Sequence, residues 1–195
     1  MSAPPPESFA FTSENARAAD AIVAKYPPGR EQSAVLPLLQ LAQEQHGNWL
    51  PRAAMDHVAV VLGMAPIRVY EVATFYTMLN LEPVGRHHVR VCTTTPCWLR
   101  GSDQVVDACR RRLCIDVGET TSDRTFTLDE VECLAACVNA PVVWIGNEYY
   151  EDLDADSMTR VLDELAAGAQ PVPGSQIRRQ RSAPAGGPRT LLGTA

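Results

Sequence analysis

Six cysteines carry the chemistry this chain could do: Cys92, Cys97, Cys109, Cys114, Cys133 and Cys137. Cys92 and Cys97 lie in VCTTTPCWLRGS (residues 91–102), a Cys-x4-Cys pair with three threonines and a proline between the thiols. After 35 further residues come Cys133 and Cys137, a Cys-x3-Cys pair in VECLAACVNAPV (131–142). Two thiol pairs in short polar loops make a donor set for soft or borderline metal ions. Zinc knuckles favour Cys-x2-Cys, in which two sulfurs close on one ion. A [2Fe–2S] cluster is wider and takes two thiolates per iron, so longer loops suit it. A thiol–disulfide exchanger needs Cys-x-x-Cys at a helix start, and that motif is absent. Spacing and context favour iron–sulfur ligation. They leave zinc, and no metal at all, open as alternatives.

Cys109 and Cys114 repeat the Cys-x4-Cys spacing on a predicted helix, where five positions correspond to ~140° of rotation. One helix cannot aim both at a single site, so this pair reads as packing. His46, His57, His87 and His88 have no metal-like spacing, and Trp98 reads equally as a shield beside Cys97 or as ordinary packing. Ala185-Gly186-Gly187 follows no strand, so no phosphate loop or nucleotide site is legible.

Several elements must hold the thiol loops. A Pro-rich leader spans 1–8 and a helical region 9–80. In that region 13–26 opens at Ser13 as a candidate cap, 33–47 carries Pro37 near its first turn, and 51–64 and 66–79 each start at a proline. Together they predict a helical bundle. From 81 to 168 the pattern is α/β: a strand at 87–92, a helix at 101–113 capped by Ser102, strands at 126–133, 141–146 and 148–153, and a helix over 157–167. The fold class expected is α+β, an N-terminal helical bundle followed by a thioredoxin-like domain with a small mixed sheet. Residues 169–195, rich in Pro, Gly, Ser and Arg, read as a tail, either disordered or ordered on a partner.

Apolar residues make up 46% of the 195, enough for a core. The net charge is −6, and the tail holds Arg178, Arg179, Arg181 and Arg189 with no acid, leaving −10 on residues 1–168. An acidic body argues against nucleic acid, which selects clustered Lys and Arg. The stretch 55–76 has the rhythm of a helix-turn-helix, but Arg68 is the one strong base or phosphate contact on an otherwise apolar second helix, so it reads as core or as a protein-docking face. No apolar run approaches the ~20 residues of a membrane span. The first residues resemble neither a secretory signal nor a transit peptide. The expectation is a soluble intracellular protein without direct membrane insertion, whose cysteines are thiols or metal ligands.

VCTTTPCWLRGS followed by FTLDEVECLAACVNAPVVWIGNEYYEDL resembles the thioredoxin-like [2Fe–2S] subunit of NADH:quinone oxidoreductase, respiratory complex I. HGNWLPRAAMDHVAVVLGMAPIRVYEVATFYTML and the segment from Pro171 are similar to it as well, so the resemblance covers most of the chain. It implies one [2Fe–2S] cluster held by Cys92, Cys97, Cys133 and Cys137, with Cys109 and Cys114 matching no ligand. Thr94 stands where many members have asparagine, a change that could alter a hydrogen bond but not ligation. The implied role is one-electron transfer beside a flavin, as a subunit without a nucleotide site of its own. The implied partners are a flavoprotein subunit that binds NADH and FMN, and the other peripheral-arm subunits. The implied place is the cytoplasmic face of a bacterial plasma membrane, or the matrix side in a mitochondrion. NAD-linked hydrogenases and formate dehydrogenases use similar subunits and form one alternative; a zinc-stabilised interaction module forms another. Deleting 171–195 is expected to weaken flavoprotein binding and leave the cluster intact.

Overall fold

The computed structural model describes residues 6–179, and the chain divides into two compact units, 1–84 and 85–195. The expected leader at 1–8 and the end of the tail, 180–195, lie largely or wholly outside the described residues.

The first unit is a bundle of α1 (Ser13–Val23), α2 (Val35–Gln45), α3 (Arg52–Leu62) and α4 (Pro66–Phe75). Leu38, Leu39, Val58, Leu62 and Val69 fill its centre, with Leu50 and Leu79 from the connections. Pro66 starts α4 at a position whose N–H has no helical partner to lose. Gly63 ends α3 in the left-handed region at φ 59°, which a side chain would disfavour. Thr12, not Ser13, caps α1, its hydroxyl accepting from the Asn15 N–H at 3.2 Å. The second helix of the helix-turn-helix rhythm keeps no loose cation, since Arg68 is tied to Glu71 at 2.8 Å.

The second unit is a five-stranded mixed sheet in the order β2-β1-β3-β4-β5. Its strands are β1 (His87–Cys92), β2 (Phe126–Val131), β3 (Val142–Ile145), β4 (Glu148–Glu151) and β5 (Gly174–Ser175). β1 and β2 are parallel, and the chain crosses between them through α5 (Thr95–Leu99) and α6 (Ser102–Leu113). β3 and β4 form a hairpin turning at Gly146, and α7 (Ala155–Ala166) follows. Alternation sends Val89, Val91, Leu128, Val143 and Tyr150 to one face, against Val105 and Cys109 of α6 and Met158 and Leu162 of α7. His88, Arg90 and Cys92 therefore line the other face of β1.

Three local expectations change. Gly101, at φ 92°, occupies the cap position of α6, while Ser102 is its first residue and its buried hydroxyl meets no partner. Asp154 begins α7 in a reciprocal capping box with Ser157, moving its start ahead of 157. Residues 174–175, read as tail, complete the sheet. Among the described residues no helix is long and apolar enough to cross a membrane.

Candidate metal centre

β1 and β2 deliver the first thiol of each pair to one edge of the sheet. Their register sets Cys92 opposite Val131, and the Thr93 N–H closes the ladder on the Val131 carbonyl at 3.2 Å. Cys133 follows two residues beyond that closure. From Cys92 the chain turns directly into α5, which carries Cys97 in its single turn. From Cys133 it bends through Ala135, in the left-handed region at φ 60°, to Cys137 at the start of a 3-10 turn (Cys137–Asn139). The Ala140–Pro141 peptide is cis where the loop enters β3.

The four thiols lie as two pairs of different exposure. Cys92 and Cys97 are buried, each 1% exposed, and hydrogen-bonded to each other. The Cys133 and Cys137 sulfurs lie 3.4 Å apart and both residues are exposed. Donors surround them: the Thr94 hydroxyl is 3.3 Å from Cys92 Sγ, and the Ala135 N–H donates to Cys133 Sγ at 3.4 Å. The backbone N–H groups of Leu134 and Thr94 point at Cys92, and that of Val142 at Cys97. Burial pushes the Cys92 thiol up, but the bonds from Thr94 and Leu134 outweigh it and leave it below its usual value. Cys97 is pushed up to about 12 by burial first, then by its shared bond with Cys92 and the nearness of Cys92 and Cys137. Cys137 is raised by its bond to Cys133, then by burial and by the charges of Cys133 and Cys92.

The chemistry of this donor set decides whether the residues fit a metal group. Four thiolates cannot share this edge unless positive charge offsets their repulsion. The N–H and hydroxyl donors suit sulfurs that keep negative charge after ligation. Among the described residues no three His, Cys, Asp or Glu side chains are grouped as the ligands of one ion would be. Two pairs, each able to serve one iron, suit a two-iron cluster better than a single zinc. The donor set fits a [2Fe–2S] group.

The remaining sequence candidates lie elsewhere. Cys109 is buried in the α6 face of the core, its thiol pushed up to about 12 by burial. Cys114 ends α6 at φ 55°, exposed, its thiol directed at the Arg111 carbonyl. Trp98 is 60% exposed on α5, so neither shielding nor packing fully uses it. His46 and His57 stack in an aromatic group with Phe9 in the first unit. His88 sits 7% exposed between two partners: its Nε2 donates to Asp129 and its Nδ1 accepts from Arg90 at 3.0 Å. Arg90, on the Cys92 face of β1, stacks over the Trp144 ring at 4.1 Å.

Sequence reasoning missed three residues near the thiols. Tyr149 packs on the Cys92–Cys97 side. Asp152 and Arg179 form an ion pair at 2.6 Å beside the Cys137 loop. No spacing signal links Asp152 to Arg179; only the position of β5 brings them together.

The model of the thioredoxin-like [2Fe–2S] ferredoxin family matches residues 19–166. The chain belongs to that family. A member is an iron–sulfur electron carrier. The chain is 56% identical to an NADH-quinone oxidoreductase subunit of Rickettsia conorii over 158 residues, 81% of this chain and 95% of that one. It is 49% identical to the mitochondrial NADH dehydrogenase [ubiquinone] flavoprotein 2 of Dictyostelium discoideum over 184 residues, 94% of this chain and 74% of that one. Among solved structures, the air-oxidised NAD+-reducing [NiFe]-hydrogenase shares the fold with a TM-score of 0.58 at 18% identity, over 68% of this chain. The match spans 23% of that hydrogenase chain. The two sequence relatives are named as a subunit of NADH-quinone oxidoreductase and a flavoprotein of NADH dehydrogenase, in keeping with a subunit rather than an autonomous enzyme.

Proposed function

We propose that the chain is the one-electron carrier of the NADH-oxidising module of an NADH:quinone oxidoreductase, with Cys92, Cys97, Cys133 and Cys137 as the ligands of one [2Fe–2S] cluster. The observation that carries this reading is the asymmetry of the edge, a buried thiol pair wrapped in donors beside an exposed pair. Such a cluster, when bound, supplies reversible one-electron chemistry. The chain's own residues do the rest. Thr94 and the N–H groups of Thr94, Leu134, Ala135 and Val142 stabilise sulfur charge. Burial of Cys92 and Cys97 keeps water from that side, and the exposed Cys133–Cys137 side leaves a short path to a partner.

The partner of this reading is a flavoprotein subunit that binds NADH and FMN, with the cluster close to the flavin. An edge exposing Trp98 (60%), Leu99 (71%) and Val138 (66%) beside the Arg100 guanidinium supports a protein docking there. Close to the flavin, the carrier would take one electron and shorten the life of a half-reduced flavin. Its place is peripheral, on the cytoplasmic side of a bacterial membrane.

Anaerobically purified full-length chain tests the core of this reading through visible and EPR spectra before and after dithionite. Two irons per chain and an EPR signal on reduction are expected, and each ligand Cys→Ser change should alter or abolish it. A colourless protein with one zinc would overturn the reading. Co-purification with the neighbouring flavoprotein, followed by rapid-freeze EPR under NADH, tests the placement; a cluster inert on the catalytic timescale would refute it.

A further inference from the structure

The segment 171–179 is not merely appended to the second unit. Gly174 and Ser175 pair in parallel with Tyr150 and Glu151, and the Gln176 N–H extends the ladder to the Glu151 carbonyl at 2.9 Å. The Gln176 side chain folds back to donate to the carbonyls of Val172 and Gly174 at 2.9 and 3.0 Å. From this anchored strand Arg179 reaches across the Cys137 loop. Its Nε donates to Asp152 Oδ2 at 2.9 Å, and its Nη2 to Asp152 Oδ1 at 2.6 Å and to the Val138 carbonyl at 2.8 Å.

Asp152 is the other half of the clamp. Its side chain is 3% exposed, and its backbone sits in the left-handed region at φ 55°. Its N–H donates to the Asn139 carbonyl at 2.7 Å, and the next N–H, that of Leu153, to the Pro141 carbonyl at 3.3 Å. Three carbonyls that follow Cys137, those of residues 138, 139 and 141, are thus held by Arg179, Asp152 and Leu153. Asn139 adds its side-chain amide to the Glu151 carboxylate at 2.6 Å. Cys137 itself is exposed, so packing does little to fix its sulfur; that sulfur goes where this backbone goes.

We propose that Arg179 is a positioning residue for the cluster: with Asp152 it fixes the Val138 carbonyl, and through it the direction of the Cys137 sulfur. The proposal rests on the reading of Cys137 as a ligand. Arginine is the residue type this job needs, because its planar fork can bind both carboxylate oxygens and a carbonyl at once. The lysine ammonium is a compact point charge that cannot reproduce that fork. Removing the guanidinium leaves a buried carboxylate without its ion-pair partner, with the Ser175 hydroxyl as its remaining hydrogen bond and Arg100 as a more distant counter-charge. The loop next to Cys137 then has reason to rearrange. The segment expected to serve only partner docking therefore also serves the cluster, and its loss from 171 onward removes the clamp.

The test uses the full chain, loaded with cluster and handled without oxygen. The readouts are the EPR line shape of the reduced state, the midpoint potential and the rate of bleaching by an iron chelator. Arg179→Gln is expected to alter the line shape, shift the potential and speed bleaching on the order of ten-fold, the effect of losing the charge-assisted hydrogen bond to the Val138 carbonyl that holds the Cys137 loop. Arg179→Lys should recover only part of this. The double change Asp152→Asn with Arg179→Gln, which removes the buried carboxylate charge together with its half-exposed partner, should bleach more slowly than Arg179→Gln alone, and it serves if the single variant misfolds. Cys137→Ser is measured alongside. If Cys137→Ser changes the spectrum while Arg179→Gln matches the unsubstituted chain in all three readouts, the positioning role is overturned and the ligand reading stands. If Cys137→Ser leaves the spectrum unchanged, both fall.

Discussion

Arg90 offers a quantitative test of how the Cys92 strand is held. The change Arg90→Met keeps most of the stem volume and deletes the guanidinium, which is buried, stacks on Trp144 at 4.1 Å and donates to His88 Nδ1 at 3.0 Å. Two losses oppose one gain. The stacking of a desolvated cation on Trp contributes about 2 kcal/mol. A buried imidazole nitrogen left without its donor costs about 1–3 kcal/mol. Against these, burial already disfavours the Arg90 charge, pushing its pKa down despite the nearby Asp129 carboxylate, so removing that charge returns part of the loss. The expected net cost is about 2 kcal/mol. The stacking share is isolated by a double-mutant cycle with Trp144→Leu, with an expected coupling of about 1–2 kcal/mol. Hydrogen exchange of β1 and β3 amides in the loaded protein is the suitable assay, because it reads opening of the second unit independently of the first. A coupling within about 0.3 kcal/mol of zero would show that Arg90 and Trp144 are neighbours without interacting, and the account of this sheet face would fail.

Three further outcomes are expected. Asp154→Ala should cost about 1 kcal/mol by removing the α7 cap, and it also carries a pH signature. Bonds from Ser157 hold the Asp154 carboxyl below its ordinary 3.8, so its contribution is present above that value and lost as pH falls through the lower folded pKa; acid-unfolding curves of the variant should lack that share. Gly85→Ala should destabilise by roughly 1–3 kcal/mol, the cost of overpacking, because the added Cβ would lie 2.6 Å from the Phe126 carbonyl carbon; thermal unfolding unchanged by the substitution would contradict this. Cys109→Ala should cost on the order of 1 kcal/mol for a lost buried sulfur while leaving the EPR spectrum of the cluster as it is; any change in that spectrum would place Cys109 nearer the metal than the core position described here.

Much of the fold is legible in the sequence because its signals are local. The alternation in HHVRVC, the prolines ahead of α3 and α4 and the Gly146-Asn147 turn between β3 and β4 each follow from the conformational limits of a few adjacent residues. Helix starts are less legible. Ser13 and Ser102 have the side chains that cap helices, yet Thr12 and Gly101 occupy those positions, since a cap depends on backbone angles that neighbours decide. The five-residue α5 reads as loop, because a single turn leaves no periodicity to detect. The two-residue β5 reads as tail, because Gly-Ser has no strand preference and joins only when an existing edge, β4, presents unpaired groups.

For the candidate centre, sequence alone supplied the donor chemistry: four thiols in two loops, threonine and N–H groups around them, and a fifth and sixth thiol that one helix could not aim at a common point. Those conclusions rest on residue type and on the geometry of single elements. Tertiary structure decided which strands are neighbours. It set Cys92 and Cys133 at one edge, buried one pair and exposed the other, and drew Arg179 onto Asp152 across 27 positions of chain and onto the loop of Cys137 across 41. Such a contact leaves no trace in local sequence. Its stabilisation comes from a half-exposed guanidinium meeting a buried carboxylate, and that pairing exists only once the sheet is complete.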